Sequence, residues 1–436
     1  MPDRGIPNIL FVFTDQQSAR ALSCSGNPYL RTPHMDRLAR EGARFERAYC
    51  AAPVCGPSRS ALISGRLPHE TGVLVNGMRP DPAIPNMGTL FSQAGYETAW
   101  SGRWHLPDNG ADGIPGFEVL HDPSVRLGLG LAGDEAVTDA AVDFLGRRRD
   151  RPFLLGVSLC NPHDICHWII GSPEADIPLG DGPLPPLPDN FAVDPREPEF
   201  IDRCRQRTYY GQEGTYTTEW DEQKWREYLA AYYRFTETVD VQVGRLLDAL
   251  RDNGLEEDTL VLFTSDHGEG MAAHRWVVKL MLYEEPLRVP FMLRWPGRIP
   301  AGRVDDAHLA SGVDVLPTLC DYAGVGHPAV SGVSLRPAIE DPQTGGQPFV
   351  VAELCPDTED LSMQGRMLRG KRYKYVAFSH GLHPEMLFDL EADPGEKRNL
   401  ALEEGSKDEL ERQRQALRAH CSGSGDDFVL PDGDEG

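Results

Sequence analysis

The chain has 436 residues, two to three domains' worth at roughly 150 residues each, and its 40% hydrophobic and 25% charged content supports a full globular core and excludes collagen-like or disordered classes. Its 67 acidic and 43 basic residues leave a net charge of −24, which repels polyanions at long range, excludes broad nucleic-acid binding and requires any anionic ligand to be held by local cations. No apolar run approaches the roughly 20 residues that span a bilayer, and nine cysteines, an odd number without a Cys-x-x-Cys pair, give no support to a zinc ribbon or thioredoxin-like site.

The first residues lead into only five consecutive apolar ones, Ile9 to Phe13, too short for a secretory signal. As written, the chain is expected to be cytoplasmic with reduced thiols, or periplasmic or secreted if an upstream signal was removed. The same unbroken run predicts a strand buried on both faces. Thr32-Pro33 predicts a helix start, and Gly42 its end. Pro57 suits another start, so Ser58 to Ser64, capped by Gly65, reads as a short helix. Cys55 then sits at a helix N-terminus, where the dipole and free N–H groups favour an anion. Arg59 lies one turn further on and can point back.

Helices are expected from Asp134 to Arg148 and from Asp221 to Asn253, with a long surface loop from Pro173 to Pro198. Strands are expected at Phe153–Leu159 and Thr259–Thr264. The three strand runs end in polar clusters: Thr14-Asp15-Gln16, Asn161-Pro162-His163 and Ser265-Asp266-His267. Strands alternating with helices argue for an α/β fold, a large mixed, mainly parallel sheet flanked by helices. Its ligand crevice should lie beyond the strands' carboxyl ends, where those clusters fall. After about Gly345 come short strand-like pieces, Phe349–Ala352, Met367-Leu368, Tyr373–Ala377 and Met386–Phe388. They predict a smaller antiparallel sheet with a hairpin turn at Arg369-Gly370-Lys371. A helix from about Lys407 to His420 and a disordered acidic tail from Ser424 to Gly436 should follow. The expected division is a catalytic α/β domain over 1–345 and a C-terminal subdomain over 346–436.

Cys55-Gly56-Pro57-Ser58-Arg59, followed by a small-residue turn and Gly65-Arg66, resembles the signature of the type I sulfatases, the formylglycine-dependent family within the alkaline-phosphatase-like superfamily. In that family the cysteine is oxidised to formylglycine, whose hydrated aldehyde is the nucleophile. The resemblance continues from residue 7 to 402, through Leu316–Leu319, Leu387–Leu390 and Asp393-Pro394-Gly395. It implies a metal set of Asp15, Gln16 (where a second aspartate is usual), residue 55, Asp266 and His267. Oxygen ligands suit calcium or magnesium and the imidazole admits manganese; the resemblance favours calcium. Arg103, in Ser101–Leu106, stands where the family has a lysine, a point charge rather than a planar fork. His105 matches the histidine that contacts formylglycine, His163 the candidate acid for the leaving group, and Lys279 the lysine that contacts sulfate. Arg59, Arg103 and Lys279 are expected to neutralise the sulfate oxygens. Asp266 is the expected base, and His105 would take the proton that releases sulfate.

The implied activity is hydrolysis of a sulfate monoester. The negative chain is expected to act on a small or terminal sulfated carbohydrate, after maturation by a formylglycine-generating enzyme. Gln16 and His267 also match phosphonate monoester or phosphodiester hydrolases of the same superfamily, and a non-catalytic sugar-binding relative is the other alternative. Trp168, Tyr209, Tyr210, Tyr216 and Trp220 either line a sugar pocket or pack their loop onto the domain.

Overall fold

Two sheets organise the chain in a computed structural model that describes residues 5–107, 113–122, 130–206 and 217–431. The larger has eight strands: β1 (Asn8–Asp15), β2 (Ala43–Tyr49), β3 (Glu97–Gly102), β4 (Glu118–His121), β5 (Phe153–Pro162), β6 (Thr259–Ser265), β7 (Phe291–Arg294) and β8 (Arg303–Ser311). Their order is β4-β3-β5-β1-β6-β7-β2-β8. Only β7 runs against its neighbours, β6 and β2; the other pairs are parallel. The expected mixed, mainly parallel sheet is therefore present.

Alternate residues of β1 serve two apolar layers. Ile9, Phe11 and Phe13 belong to one cluster, Leu10 and Val12 to the other. This two-sided burial explains why β1 is apolar without interruption. Helices α1 (Pro33–Glu41), α3 (Gly130–Leu145) and α4 (Glu222–Asp252) cover one face through Met35, Phe144 and Leu246. Helices α2 (Cys55–Ser64) and α5 (Val315–Ala323) help to cover the other through Leu62 and Leu316. Asp221 caps α4, accepting from Lys224 N at 2.8 Å.

The second sheet is antiparallel, in the order β12-β11-β10-β9, from β9 (Phe349–Leu354), β10 (Gly365–Gly370), β11 (Tyr373–Phe378) and β12 (Glu385–Asp389). Its hairpin turn falls at Lys371-Arg372, because the β10 pairing runs through Gly370. Helix α6 runs Lys407–Ser424, four residues beyond the expected end. The acidic tail is ordered where it is described, contrary to expectation. Phe428 and Leu430 are buried, and Arg366 grips Asp426 at 2.6 and 2.8 Å. Two apolar anchors and a bidentate ion pair outweigh the composition of the segment. Residues 432–436 lie outside the described residues.

The parallel register carries the chemistry. Thr14 pairs with Ser265 of β6, and after a shift Asp15 pairs with Pro162 of β5. The polar ends of three adjacent strands thus meet at one edge of the sheet.

Candidate active site

Helix α2 starts at Cys55, three residues earlier than expected, since proline in a first turn loses no intrahelical bond. Gly65 closes it in the left-handed region at φ 70, its N–H bonding Ala61 O at 2.9 Å. No side chain of Val54 caps the start; Asn76 Oδ1 instead accepts from Gly56 N at 2.7 Å. All ten residues of α2 are buried, which seats Cys55 inside the protein.

Around its sulfur, Lys279 Nζ lies at 2.9 Å, His267 Nε2 at 3.2 Å and Asp15 Oδ1 at 3.7 Å. Burial and the Asp15 charge push the thiol up, but Lys279 and His267 outweigh them and hold it well below the ordinary thiol range. Lys279 reaches this position from a loop with left-handed residues on either side, Val278 at φ 58 and Leu280 at φ 70.

One ligand atom each from Asp15, Cys55, Asp266 and His267 lies within 4.8 Å of the others, and all four residues are buried. Two carboxylates, an imidazole and a side chain that Lys279 already contacts make a donor set that fits a divalent cation. Gln16, at φ 76, turns into the same place: its N–H bonds Asp266 Oδ1 at 3.0 Å and its Oε1 accepts from Lys279 at 2.8 Å. Gly268 is obligatory in Asp266-His267-Gly268, because a Cβ there would collide with the carbonyl oxygen of Glu285.

The two carboxylates differ. Burial raises Asp15, but His163, Arg59, Lys279 and Arg103 together hold it well below the ordinary range. Burial and the Asp15 charge push Asp266 up, against His267 and Arg59. Arg59 is 1% exposed and spends its guanidinium on the protein: Nε on Asp266 Oδ2 at 2.9 Å, Nη2 on Asp15 Oδ2 at 2.8 Å and Nη1 on Ser158 Oγ at 2.8 Å. It stacks over Phe13, 5.0 Å from the ring centre. Arg59 therefore clamps the two carboxylates to each other.

Arg103 bridges two groups, with Nη1 on Asp15 Oδ2 at 2.9 Å and Nη2 on His105 Nε2 at 3.0 Å. An arginine only donates, so His105 Nε2 is the acceptor and its proton sits on Nδ1. That buried Nδ1 has no hydrogen-bond partner among the described residues. Gly102, at φ 110, lets the strand end pass Ser158, whose carbonyl a Cβ would strike. His163 follows Pro162 at the end of β5 and is half-buried. Burial, Lys279 and Arg103 hold its imidazole well below the usual range despite Asp15.

Asp15, Gln16, Cys55, Arg59, Arg103, His105, Asp266, His267 and Lys279 thus form one bonded cluster, and His163 lies close enough to feel the charges of Asp15, Lys279 and Arg103. Sequence reasoning missed Ser158, Asn76 and Glu269; only Glu269, directly after Asp266-His267-Gly268, carried a positional signal. Trp168 packs edge-on against Trp220 at 6.2 Å, and Trp220 against Trp225 at 5.1 Å, which favours the packing role for these two. Tyr209, Tyr210 and Tyr216 lie outside the described residues.

The sulfatase family model matches residues 7–325. The chain belongs to the sulfatase family. A second family model, the C-terminal part of N-sulphoglucosamine sulphohydrolase, matches residues 272–421 of this sulfatase. It is 34% identical to the Delta 4,5-hexuronate-2-O-sulfatase of Bacteroides thetaiotaomicron, over 97% of this chain and 90% of that protein. The solved structure of a 2-O GAG sulfatase superposes with a TM-score of 0.86 at 33% identity, covering 98% of this chain and 95% of the other. The phosphonate monoester hydrolase of Agrobacterium radiobacter shares the fold, with a TM-score of 0.82 at 24% identity over 96% of each chain. The enzyme is a sulfuric ester hydrolase with an alkaline-phosphatase-like fold.

Proposed function

We propose that this sulfatase cleaves the sulfate monoester of a small or terminal sulfated carbohydrate, with residue 55 as nucleophile. The observation that carries the proposal is Cys55 at a buried helix N-terminus, between Lys279 and the Asp15–Asp266–His267 cluster. The saccharide class is supported by the hexuronate and GAG sulfatases named above. The net charge of −24 disfavours the interior of a long polyanion.

A divalent cation, calcium by preference, held by Asp15, Gln16, Asp266, His267 and residue 55, would offset anion–anion repulsion and acidify a neighbouring hydroxyl. Formylglycine made from Cys55 would supply that hydroxyl as the nucleophile. Because α2 is buried throughout, a formylglycine-generating enzyme would have to act before the chain folds.

The chain's own groups do the rest. Asp266, the more basic carboxylate, takes the nucleophile's proton. Lys279 holds a sulfate oxygen, as charge redistributes, with a fixed positive charge in a water-poor site. Arg59 and Arg103 keep Asp15 ionised and placed. His163, held low in the free pocket, gains acid character when the ester's negative charge enters and raises it, and then protonates the leaving oxygen. His105 takes, at Nε2, the proton that lets sulfate leave, once the Arg103 N–H that occupies that lone pair moves off it.

The test is a panel of defined sulfated monosaccharides and disaccharides, their intact polymers and an aryl phosphonate, given to cation-loaded enzyme whose aldehyde has been verified by mass. Sulfate release should be fastest from a disaccharide or smaller sugar. Faster cleavage of internal sulfates would overturn the substrate class. Gln16 beside Asp15 favours the second reading, phosphonate monoester hydrolysis, and turnover of the phosphonate above every sulfate would establish it.

A further inference from the structure

We infer that Glu269 is a positioning residue for this site: it fixes which way the Gln16 carboxamide points, and so which atom Gln16 offers to the cation. The inference rests on the cation site proposed above.

Glu269 follows Asp266-His267-Gly268 and is fully buried. Its Oε2 accepts from Gln16 Nε2 at 2.5 Å, and its Oε1 accepts from the hydroxyl of Tyr228 and the N–H of Val278. Three donors converge on it, as suits an acceptor-only carboxylate. On the opposite side of the Gln16 amide stands the Lys279 ammonium, which only donates, 2.8 Å from Oε1. A carboxamide has one accepting and one donating end. Between a carboxylate and an ammonium, just one of its two orientations satisfies both neighbours. The flipped form would set NH2 against ammonium and oxygen against carboxylate.

The consequence reaches the metal-binding cluster. A hard cation coordinates an amide oxygen and not an amide NH2. An aspartate at position 16 would present oxygen in either orientation, whereas a glutamine needs an orienting partner. Glu269 also holds the N–H of Val278, the residue before Lys279. One carboxylate thereby ties together the end of β1, helix α4 through Tyr228, and the segment that carries the lysine.

Calcium chloride, and separately manganese chloride, titrated calorimetrically into chelator-stripped full-length protein tests this, with cation-free thermal unfolding measured alongside. Glu269→Gln can turn its own NH2 toward Gln16 and release the flip. The expected result is cation affinity weaker by about 10- to 100-fold, the range for losing a partner that orients a ligand. The isosteric swap Gln16→Glu with Glu269→Gln keeps the charge and the hydrogen bond, and should recover affinity to within about threefold. Equal affinity in wild type and Glu269→Gln overturns the inference. So does a lowered cation-free Tm with no recovery in the swap, which marks a merely structural residue. Absence of binding by the wild type would instead remove the cation site itself, and this inference with it.

Discussion

Lys279 sets its ammonium 2.9 Å from the Cys55 sulfur and 2.8 Å from Gln16 Oε1, joining the start of α2 to the end of β1. It is 2% exposed, so water does not screen it. Lys279→Ala is expected to lower kcat by about 10²- to 10³-fold, as loss of one preorganised charge does elsewhere. Steady-state sulfate release measures this; a change confined to KM would show that the lysine only helps binding.

Arg59 neutralises Asp15 and Asp266 where neither meets solvent. Arg59→Ala leaves two buried carboxylates without that partner and should destabilise the cation-free protein by about 3–5 kcal/mol. In the proposed site a divalent cation would bind the same carboxylates, so saturating calcium should raise Tm more in the variant than in the wild type. Thermal unfolding with and without calcium decides it, and equal calcium shifts would mean that Arg59 does not balance the cluster.

Arg103 uses both arms of its fork, on Asp15 and on His105. Arg103→Lys keeps the charge but cannot hold both partners, so kcat should fall about tenfold or more with little change in KM. The pH–rate profile should also change, because the proton on His105 is no longer directed to Nδ1. Kinetics indistinguishable from wild type would refute the bridging role.

His69, just after α2, bonds Glu353 of β9 at 2.6 Å and the carbonyl of Ser424 at the end of α6 at 3.3 Å, and so bridges the smaller sheet and that helix. Burial disfavours its charge, but the bond and charge of Glu353 outweigh that, and its pKa is raised to about 9. The folded value lies above the ordinary 6.5, so its stabilisation is complete below about pH 6.5 and is lost as pH rises through about 9. The Tm difference between wild type and His69→Gln should therefore shrink across that window. A constant difference would show that the imidazole stays in one charge state.

The central strands were legible because burial on both faces leaves β1, β5 and β6 as unbroken apolar runs. Strand β2 was not: Arg44, Glu46 and Arg47 interrupt it, the three of its seven residues that are only partly buried. Strand β4 is short and half exposed. The site was legible because each ligand ends a readable strand or begins a readable helix. Glu269 was not, since its partners Tyr228 and Val278 meet it only in the folded chain. The tail misled because Asp426 and its neighbours read as solvated until Arg366 and the buried Phe428 are considered.

The most direct test is sulfate released from a defined sulfated disaccharide by aldehyde-verified enzyme and by its Cys55→Ala variant, under equal calcium. Residue 55 as nucleophile predicts steady release by the first and a rate lower by about 10³-fold or more in the second. Comparable release by both would contradict it.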